Sequence, residues 1–466
     1  MNAVLGAPTG STAPLRLSTL LSLAWPIVLS RATQSVIGFS DTLMTAHLGE
    51  RALAASATGG LNTFSIMILP IGTVFIVQSF AAQLGGKNDF VAARRYAWYG
   101  LILAGITMVL ALAATPFLPA AMRVFDFEPS VRTLMTHYMQ IRLLSVGAVI
   151  GTEALGNWYG GLGNTRFQMI ASVVAMVLNV AFCWVFIYGH LGAPALGVAG
   201  SAVAATIASW AGFAVLAVAM WRGWGGAGRH QGKLGLKRSE LWRMLRFGLP
   251  NGVNWFLEFA AFAVFMNVVM ARLGTVPLAA INVAMTINNV SFMPAFGMAS
   301  AGAILVGQAV GRGERDQVWP AVRLTMKVTV AWMVSVGVIY FAIPRVLVGW
   351  FVSPTEKGPE MLAMGATMLA IASAWQLFDG INMVLSEALR AAGDTVWCLW
   401  ARIGLAWFAF IPASLVAIFV LGGGVVAAMS CLVGWIALLA CAYAWRFHSG
   451  AWRRIDLIGD APPPLV

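Results

Sequence analysis

The composition of this chain excludes a water-soluble globular protein. Its 466 residues are 60% hydrophobic and 10% charged, a balance that no soluble domain of this size tolerates on its surface. The formal net charge of +12 could suggest nucleic acid, but the basic residues lie in alternate loops between apolar segments. We therefore expect lipid as the solvent and no nucleic-acid partner.

Apolar runs of the length needed to cross a bilayer, about 20 residues, recur along the chain and predict about twelve transmembrane helices. Because these runs are continuous and do not alternate in polarity, they exclude a transmembrane β-barrel. The N-terminal segment lacks the basic region and cleavage site of a signal peptide, so we expect the first span to be retained. The predicted spans are 18–46, 52–83, 93–117, 132–161, 165–189, 195–221, 241–272, 277–308, 318–345, 361–390, 396–420 and 425–446.

The basic loops predict the orientation of the chain. Lys and Arg are concentrated after the second, fourth, sixth, eighth and last spans, for example at Lys87, Arg166, Arg238, Arg312 and Arg446. By the positive-inside rule, these loops and both termini face the cytoplasm, where they also contact anionic lipid headgroups.

The four cysteines all fall inside predicted spans, so neither a disulfide framework nor a metal-binding spacing is visible. They are Cys183, Cys398, Cys431 and Cys441.

The sequence repeats itself over half its length. The segment LAWPIVL matches FGLPNGV, with Pro26 opposite Pro250, and MILPIG matches FMPAFG, with Gly72 opposite Gly297. Further pairs are LGERALAA with LGTVPLAA, QLGGK with QAVGR, and GLGNT with RAAGDT, all separated by about 225 residues. Each half holds about six spans, so the two halves share one orientation and are related by a pseudo-twofold axis along the membrane normal.

The repeat sets the predicted domain boundaries. They are a cytoplasmic segment 1–19, an N-lobe 20–222, a Gly-rich basic linker 223–240, a C-lobe 241–446 and a cytoplasmic tail 447–466. The fold class is therefore an all-α integral membrane protein of two six-helix lobes. Such a bundle encloses a cleft that opens to either side as the lobes rock.

Charged residues inside the spans are functional candidates, because burying a charge in lipid is costly. At about 1.5 Å per residue, Glu258 lies roughly 20 Å from the outer end of its span and Asp379 roughly 16 Å from the inner end, so both are near mid-membrane. Glu387 lies near the cytoplasmic face, where an ion pair with Arg390 or hydration explains it. The remaining intramembrane charges are Asp41, Glu153, Arg31, Arg142, Lys327 and Arg402.

Glu258 has no Lys or Arg within two turns of its own helix, and Asp379 has none except near Arg390. A carboxylate without a cationic partner in a low-dielectric site can carry a proton and release it on hydration, as a coupling site requires. Once ionised, it attracts Na⁺ or an organic cation. The alternative is that the two acids are satisfied by buried Arg or polar neighbours and only hold helices together.

Polar and adaptable apolar side chains surround these acids in the seventh, eighth and tenth spans. They favour a polar cavity in the second half with a wall suited to flat cations, although packing explains some of them. The polar residues are Asn254, Asn282, Asn288, Asn289 and Asn382, and the apolar ones include Trp375, Phe292 and Met285.

These segments resemble the multidrug and toxic compound extrusion (MATE) transporters, and among them the NorM-like branch. The resemblance rests on LAWPIVL followed by SDTLMTAHLG, the repeated PIG and QLGG signature, LEFAAF, and LFDGINMVLSEALRAAGDT. It implies a twelve-helix antiporter in a bacterial inner membrane, functional as a monomer and without cofactor, that exports cationic and amphiphilic compounds in exchange for inward H⁺ or Na⁺. Asp41 is similar to the acid of the family's first helix. Glu258 and Asp379 match the acids of the cation site, and would be the metal ligands if Na⁺ is the coupling ion.

Two departures from the family pattern favour H⁺. Where some relatives carry an aromatic hydroxyl one turn before the tenth-helix acid, this chain has Trp375. In the fifth helix Asn179 is kept, but the Asn expected one turn later is Cys183. Both changes remove oxygen ligands for a metal ion.

Three other functions fit the sequence less well. A flippase for lipid-linked saccharides would need buried Arg or Lys for its anionic cargo, whereas the mid-membrane charges here are mainly acidic. A membrane-embedded enzyme would need a reaction centre, and the sequence has neither HExxH nor GxGD. A receptor would leave the internal duplication unexplained.

Overall fold

The computed structural model describes residues 16–124, 127–226, 234–352 and 358–459. This part of the chain is helical and contains no strand. The helices are α1 (Leu17–Ala46), α2 (Glu50–Gly86), α3 (Phe90–Val124), α4a (Pro129–Leu143), α4b (Val146–Gly161), α5 (Thr165–Tyr188), α6 (Val198–Trp221), α7 (Arg238–Met270), α8 (Thr275–Gly311), α9 (Arg315–Ala342), α10 (Gly358–Ala392), α11 (Thr395–Val420) and α12 (Val425–His448).

Within the described ranges, eleven helices are long and apolar enough to cross a membrane. The prediction of one continuous fourth span at 132–161 is wrong, because the chain there forms α4a and α4b. The backbone N–H and the hydroxyl of Ser145 both donate to the carbonyl of Arg142, which tightens the helix into a turn at Leu144 and Ser145. The second predicted span, 52–83, likewise contains a short turn at Phe75 and Ile76, within α2.

One backbone conformation recurs at matching positions of the two repeats. The repeated LG pair ends in Gly49 before α2 and in Gly274 before α8, with φ of 102° and 115°. Side chains other than glycine rarely adopt this conformation, so the same residue type is needed at the same place in both halves.

The chain divides into two compact units, and the division falls inside α1 and α7. One unit takes the chain up to Val28 and again from Val253 onward; the other is Leu29–Gly252. Both cuts come just after a proline inside a helix, Pro26 or Pro250, where the missing backbone N–H interrupts the hydrogen-bond ladder. The domain limits predicted from the sequence stay predictions, and residues 227–233 of the linker lie outside the described part.

Each unit has its own apolar core. In the first unit, Leu20, Leu23 and Ile27 of α1 join a buried cluster formed by α7 to α12. In the Leu29–Gly252 unit, buried residues such as Met67 and Met135 connect α2 to α4a. The start of each repeat therefore packs into the unit built mainly from the other repeat.

Large apolar side chains remain exposed on helix surfaces. Val109 is 65% exposed, Phe341 71% and Phe408 78%. Apolar surface of this extent is costly in water, and it fits the lipid environment that the sequence predicts.

Candidate functional site

The predicted coupling acids of the second half lie near each other and near a buried arginine. Glu258 on α7 forms an ion pair through Oε2 with Nη1 of Arg402 on α11. Asp379 on α10 interacts electrostatically with both of these residues and forms a side-chain hydrogen bond with Asn382. The structure thus brings three helices and two predicted acids to one site.

Packing between π-helical turns holds α7 and α11 together beside this site. The last turns of α7, Phe265–Met270, are π-helical, and α11 changes to a π-helix at Ala406–Phe410, just after Arg402. The rings of Phe265 and Phe410 pack with centroids 5.1 Å apart. Such turns are uncommon, and they occur often at functional sites.

The expectation that Glu258 lacks a cationic partner is wrong. Its partner, Arg402, is distant in sequence, so a search along the same helix could not find it. The Arg402 side chain is 8% exposed and that of Glu258 41%. Nε and Nη2 of Arg402 each lie 3.4 Å from Oη of Tyr443. A buried guanidinium requires such partners, because an unpaired buried charge is strongly destabilising.

Asp379 keeps the character that the sequence predicts. No Lys, Arg or His in the described part of the chain forms an ion pair with it, and its hydrogen-bond partner Asn382 is neutral. With Glu258 ion-paired to Arg402, Asp379 is the acid of this site that has no ion-pair partner of its own among the described residues, although the charge of Arg402 also acts on it. We refer to it as the uncompensated acid.

The predicted polar residues divide into two groups. Asn254 and Asn382 are buried, and the Oδ1 atom of each has no hydrogen-bond partner among the described residues. Asn282 and Asn289 are exposed, and the amide of Asn282 donates to the carbonyl of Leu278 on its own helix.

Asn288 belongs to a polar chain that the sequence reading missed. Its Oδ1 accepts a 2.6 Å hydrogen bond from Nε2 of Gln376, which links α8 to α10. Gln376 is fully buried, and its Oε1 has no partner in the described part of the chain. In the sequence, the position of Gln376 nearly one turn before Asp379 is the feature that could have identified it as a site residue.

The predicted apolar residues of the site also differ in burial: Trp375 is buried, and Met285 and Phe292 are half-buried.

In the Leu29–Gly252 unit, Asp41 has a thiol partner. Sγ of Cys183 donates to Oδ1 of Asp41 over 3.1 Å, and Asn179 one turn earlier is buried with its Nδ2 unpaired. Arg142 interacts with Asp41 electrostatically. The residues that the resemblance singled out in the first and fifth helices are therefore close together.

The other intramembrane charges are paired or exposed. Arg31 binds Glu153 with two hydrogen bonds of 3.2 and 3.3 Å. Glu387 and Arg390 form the ion pair that the sequence predicts, and both are buried. Lys327 is exposed. None of these needs a role in coupling.

The described residues contain no group of three or more His, Cys, Asp or Glu side chains that could hold a metal ion. A Na⁺ ion at Glu258 and Asp379 would have to complete its shell with amide or backbone oxygens. The assignment of these acids as Na⁺ ligands stays a prediction.

A duplicated bundle of membrane helices, with a small set of buried charges in each half, defines a secondary-transporter architecture. The MatE family model matches residues 26–185 and again residues 250–415. The chain therefore belongs to the MatE family, and it is a transporter and not an enzyme. The two matches begin at Pro26 and Pro250, which reproduces the repeat found in the sequence.

The chain is similar over nearly its full length to proteins of the NorM branch. It is 29% identical over 474 residues to the "Probable multidrug resistance protein NorM" of Rhizobium meliloti (strain 1021), covering 98% of this chain and 97% of the relative. It is 31% identical over 436 residues to the protein of the same name from Deinococcus radiodurans, covering 92% of each. These matches confirm the resemblance drawn from the motifs.

Solved structures share the fold. The chain superimposes on a structure described as "Crystal structure of MATE in complex with MaD3S" with a TM-score of 0.84 and 19% identity, covering 94% of this chain and 97% of the other. A transporter of the MOP superfamily from Pyrococcus furiosus, described by the reverse polarity of its binding pocket, gives a TM-score of 0.82 at 17% identity. Identities this low establish the fold alone.

Proposed function

We propose that the protein is a multidrug efflux antiporter. It exports small cationic and amphiphilic organic molecules across a bacterial inner membrane, as a monomer with both termini in the cytoplasm, in exchange for inward H⁺ or Na⁺. The names of the NorM relatives support multidrug transport. The observation that carries the cationic substrate and the exchange is the uncompensated acid Asp379 beside the neutralised pair Glu258 and Arg402.

The exchange follows from competition for one negative charge. An ionised Asp379 attracts an organic cation, and the unpaired oxygens of Asn254, Asn382 and Gln376 are available to accept its hydrogen bonds. When H⁺ or Na⁺ arrives from outside and neutralises Asp379, the attraction for the organic cation is lost. The substrate then leaves outward, the lobes rock, and the coupling ion dissociates into the cytoplasm.

Asp41 has a secondary part in this proposal. It lies in the Leu29–Gly252 unit with Cys183 as its hydrogen-bond donor and Arg142 within electrostatic range. Asp41 is not part of the ion-paired site of Glu258 and Arg402. We assign to it the modulation of substrate affinity.

The balance of charges disfavours a flippase for anionic lipid-linked saccharides. That function needs buried cations free to bind phosphate, whereas Arg402 and Arg31 are each engaged by a carboxylate. An anionic headgroup would also meet the unpaired charge of Asp379.

The test is export of a fluorescent cation from proteoliposomes under an imposed pH gradient and, separately, a Na⁺ gradient. The wild-type protein should export the dye under at least one gradient, and Asp379→Asn should abolish this while inserting normally. Asp316→Asn is the matched control, because Asp316 is an exposed acid on the same half of the chain. Unchanged gradient-driven export by Asp379→Asn would refute the proposal.

A further inference from the structure

Arg402 is fixed from two directions at the predicted coupling site. One side of its guanidinium contacts the Glu258 carboxylate through Nη1. The other side faces the Tyr443 hydroxyl, which lies 3.4 Å from Nε and from Nη2 and also within 3.4 Å of the carbonyl of Cys398. With 8% of its side chain exposed, Arg402 cannot leave this position without losing all of these partners.

The titratable groups around Arg402 include two acids, of which only Glu258 is ion-paired with it. The groups that interact with Arg402 are Glu258, Tyr443 and Cys398, and Asp379 interacts with both Glu258 and Arg402. Two acids and one permanent cation thus share the site. A metal ion bound between the two carboxylates would place a second positive charge beside a guanidinium that is always protonated.

The ion pair belongs to the second repeat only. By the alignment of GLGNT with RAAGDT, the residue opposite Arg402 is Ser172, and the residue opposite Glu258 is near Thr33 and Gln34. Ser172 instead shares a 2.7 Å hydrogen bond with Ser30. Neither charge has a counterpart in the first repeat, so shared backbone architecture does not require the pair.

We propose that Arg402 is a built-in counter-cation that occupies the cation position at Glu258, keeps Na⁺ out of the Glu258 and Asp379 site, and so selects H⁺ as the coupling ion. This inference rests on the proposed antiport. Na⁺ needs several oxygen ligands at once, and Arg402 withdraws one carboxylate from that shell. A proton needs one oxygen, and the carboxylate of Asp379 provides it.

The direct test is equilibrium binding of radioactive Na⁺ to the purified full-length protein, which requires no transport. The wild type should show no saturable Na⁺ binding, whereas Arg402→Gln should bind Na⁺ at least tenfold more tightly. Arg402→Lys keeps the charge and should remain unable to bind Na⁺. Arg390→Gln is the matched control, because it removes another buried, ion-paired arginine of the same unit and should gain no Na⁺ binding.

The double variant Arg402→Gln, Glu258→Gln separates selectivity from folding. It leaves no orphaned charge, and it should lose the Na⁺ binding gained by Arg402→Gln while keeping a melting temperature near that of the wild type. If Arg402→Gln does not fold, the test rests on the wild type and Arg402→Lys, and neither of these should show saturable Na⁺ binding. Saturable Na⁺ binding by the wild type that Glu258→Gln abolishes, or a folded Arg402→Gln that binds no Na⁺, overturns the proposal.

Dye export distinguishes failure of this inference from failure of the antiport. Wild-type proteoliposomes should respond to the pH gradient only, and Arg402→Gln should become responsive to the Na⁺ gradient. Export by the wild type under a Na⁺ gradient alone overturns the role of Arg402 but leaves the antiport standing. Absence of export under both gradients would refute the proposed antiport, and with it the coupling role given to Arg402.

Discussion

A close crossing between α2 and α7 allows a quantitative test of helix packing in the Leu29–Gly252 unit. A Cβ atom at Gly252 would lie 2.3 Å from the carbonyl oxygen of Leu69 and 2.3 Å from Oγ1 of Thr73. In the same crossing, Nδ2 of Asn251 donates a 2.6 Å hydrogen bond to the carbonyl of Gly72. Gly252→Ala therefore forces α2 and the start of α7 apart.

The cost is the sum of three terms. Overpacking against backbone atoms costs about 1–3 kcal/mol, and losing the Asn251 hydrogen bond costs about 1 kcal/mol. Alanine recovers about 1 kcal/mol because it favours the helix more than glycine does. The net destabilisation expected for Gly252→Ala is about 1–3 kcal/mol, which corresponds to a fall in melting temperature of several degrees.

The assay is thermal unfolding of the detergent-solubilised protein, compared with Gly105→Ala. Gly105 is exposed on α3, and a Cβ there would meet nothing within 4 Å. The control should therefore match the wild type or exceed it slightly. Equal melting temperatures for Gly252→Ala and Gly105→Ala would refute the helix crossing.

Three further substitutions test the charges and donors of the Leu29–Gly252 unit. Glu153→Gln removes the carboxylate that binds Arg31 and should cost about 3 kcal/mol in thermal unfolding, whereas replacing both residues by Met should recover most of that loss. Cys183→Val removes the donor to Asp41 and should slow initial dye efflux severalfold, while Cys183→Ser should retain it; equal rates for the two variants would contradict this. Glu240→Gln weakens the contacts that Glu240 makes with an arginine and a tyrosine of α3 and should lower the unfolding free energy by about 1–2 kcal/mol, so an unchanged melting temperature would count against that network.

The architecture could be predicted because its determinants are periodic or repeated. Long apolar runs fix the number of spans, and the repeated motifs fix the duplication, as the double MatE match confirms. The structure adds a reason for two of those motifs. Gly72 and Gly297 end matched segments, and a Cβ at either would collide with the backbone of Gly252 or Val28, respectively. The glycines recur because each lies where one repeat's second helix meets the other repeat's first helix.

The break in the fourth span and the pairing of charges could not be predicted in the same way. The break is a turn of two residues, Leu144 and Ser145, and apolar composition does not record where such a turn falls. Glu258 and Arg402 meet only after α7 and α11 pack, so a local search for a cation failed. Glu387 and Arg390 lie three residues apart on one helix, so the ion pair was one of the two explanations that the sequence offered, and the structure shows that pair.

The pairing of buried charges differs between the two repeats, and the proposed exchange rests on this difference. In the Leu29–Gly252 unit, Arg31 forms an ion pair with Glu153, and Asp41 accepts a hydrogen bond from Cys183 and interacts electrostatically with Arg142. In the other unit, Arg402 offsets only one of two acids. One negative charge can bind either a proton or an organic cation but not both, which is the condition for exchange. If Arg402 were absent, both carboxylates could coordinate one Na⁺ ion. Under the proposal, Arg402 therefore limits the number of further cations that the site accepts.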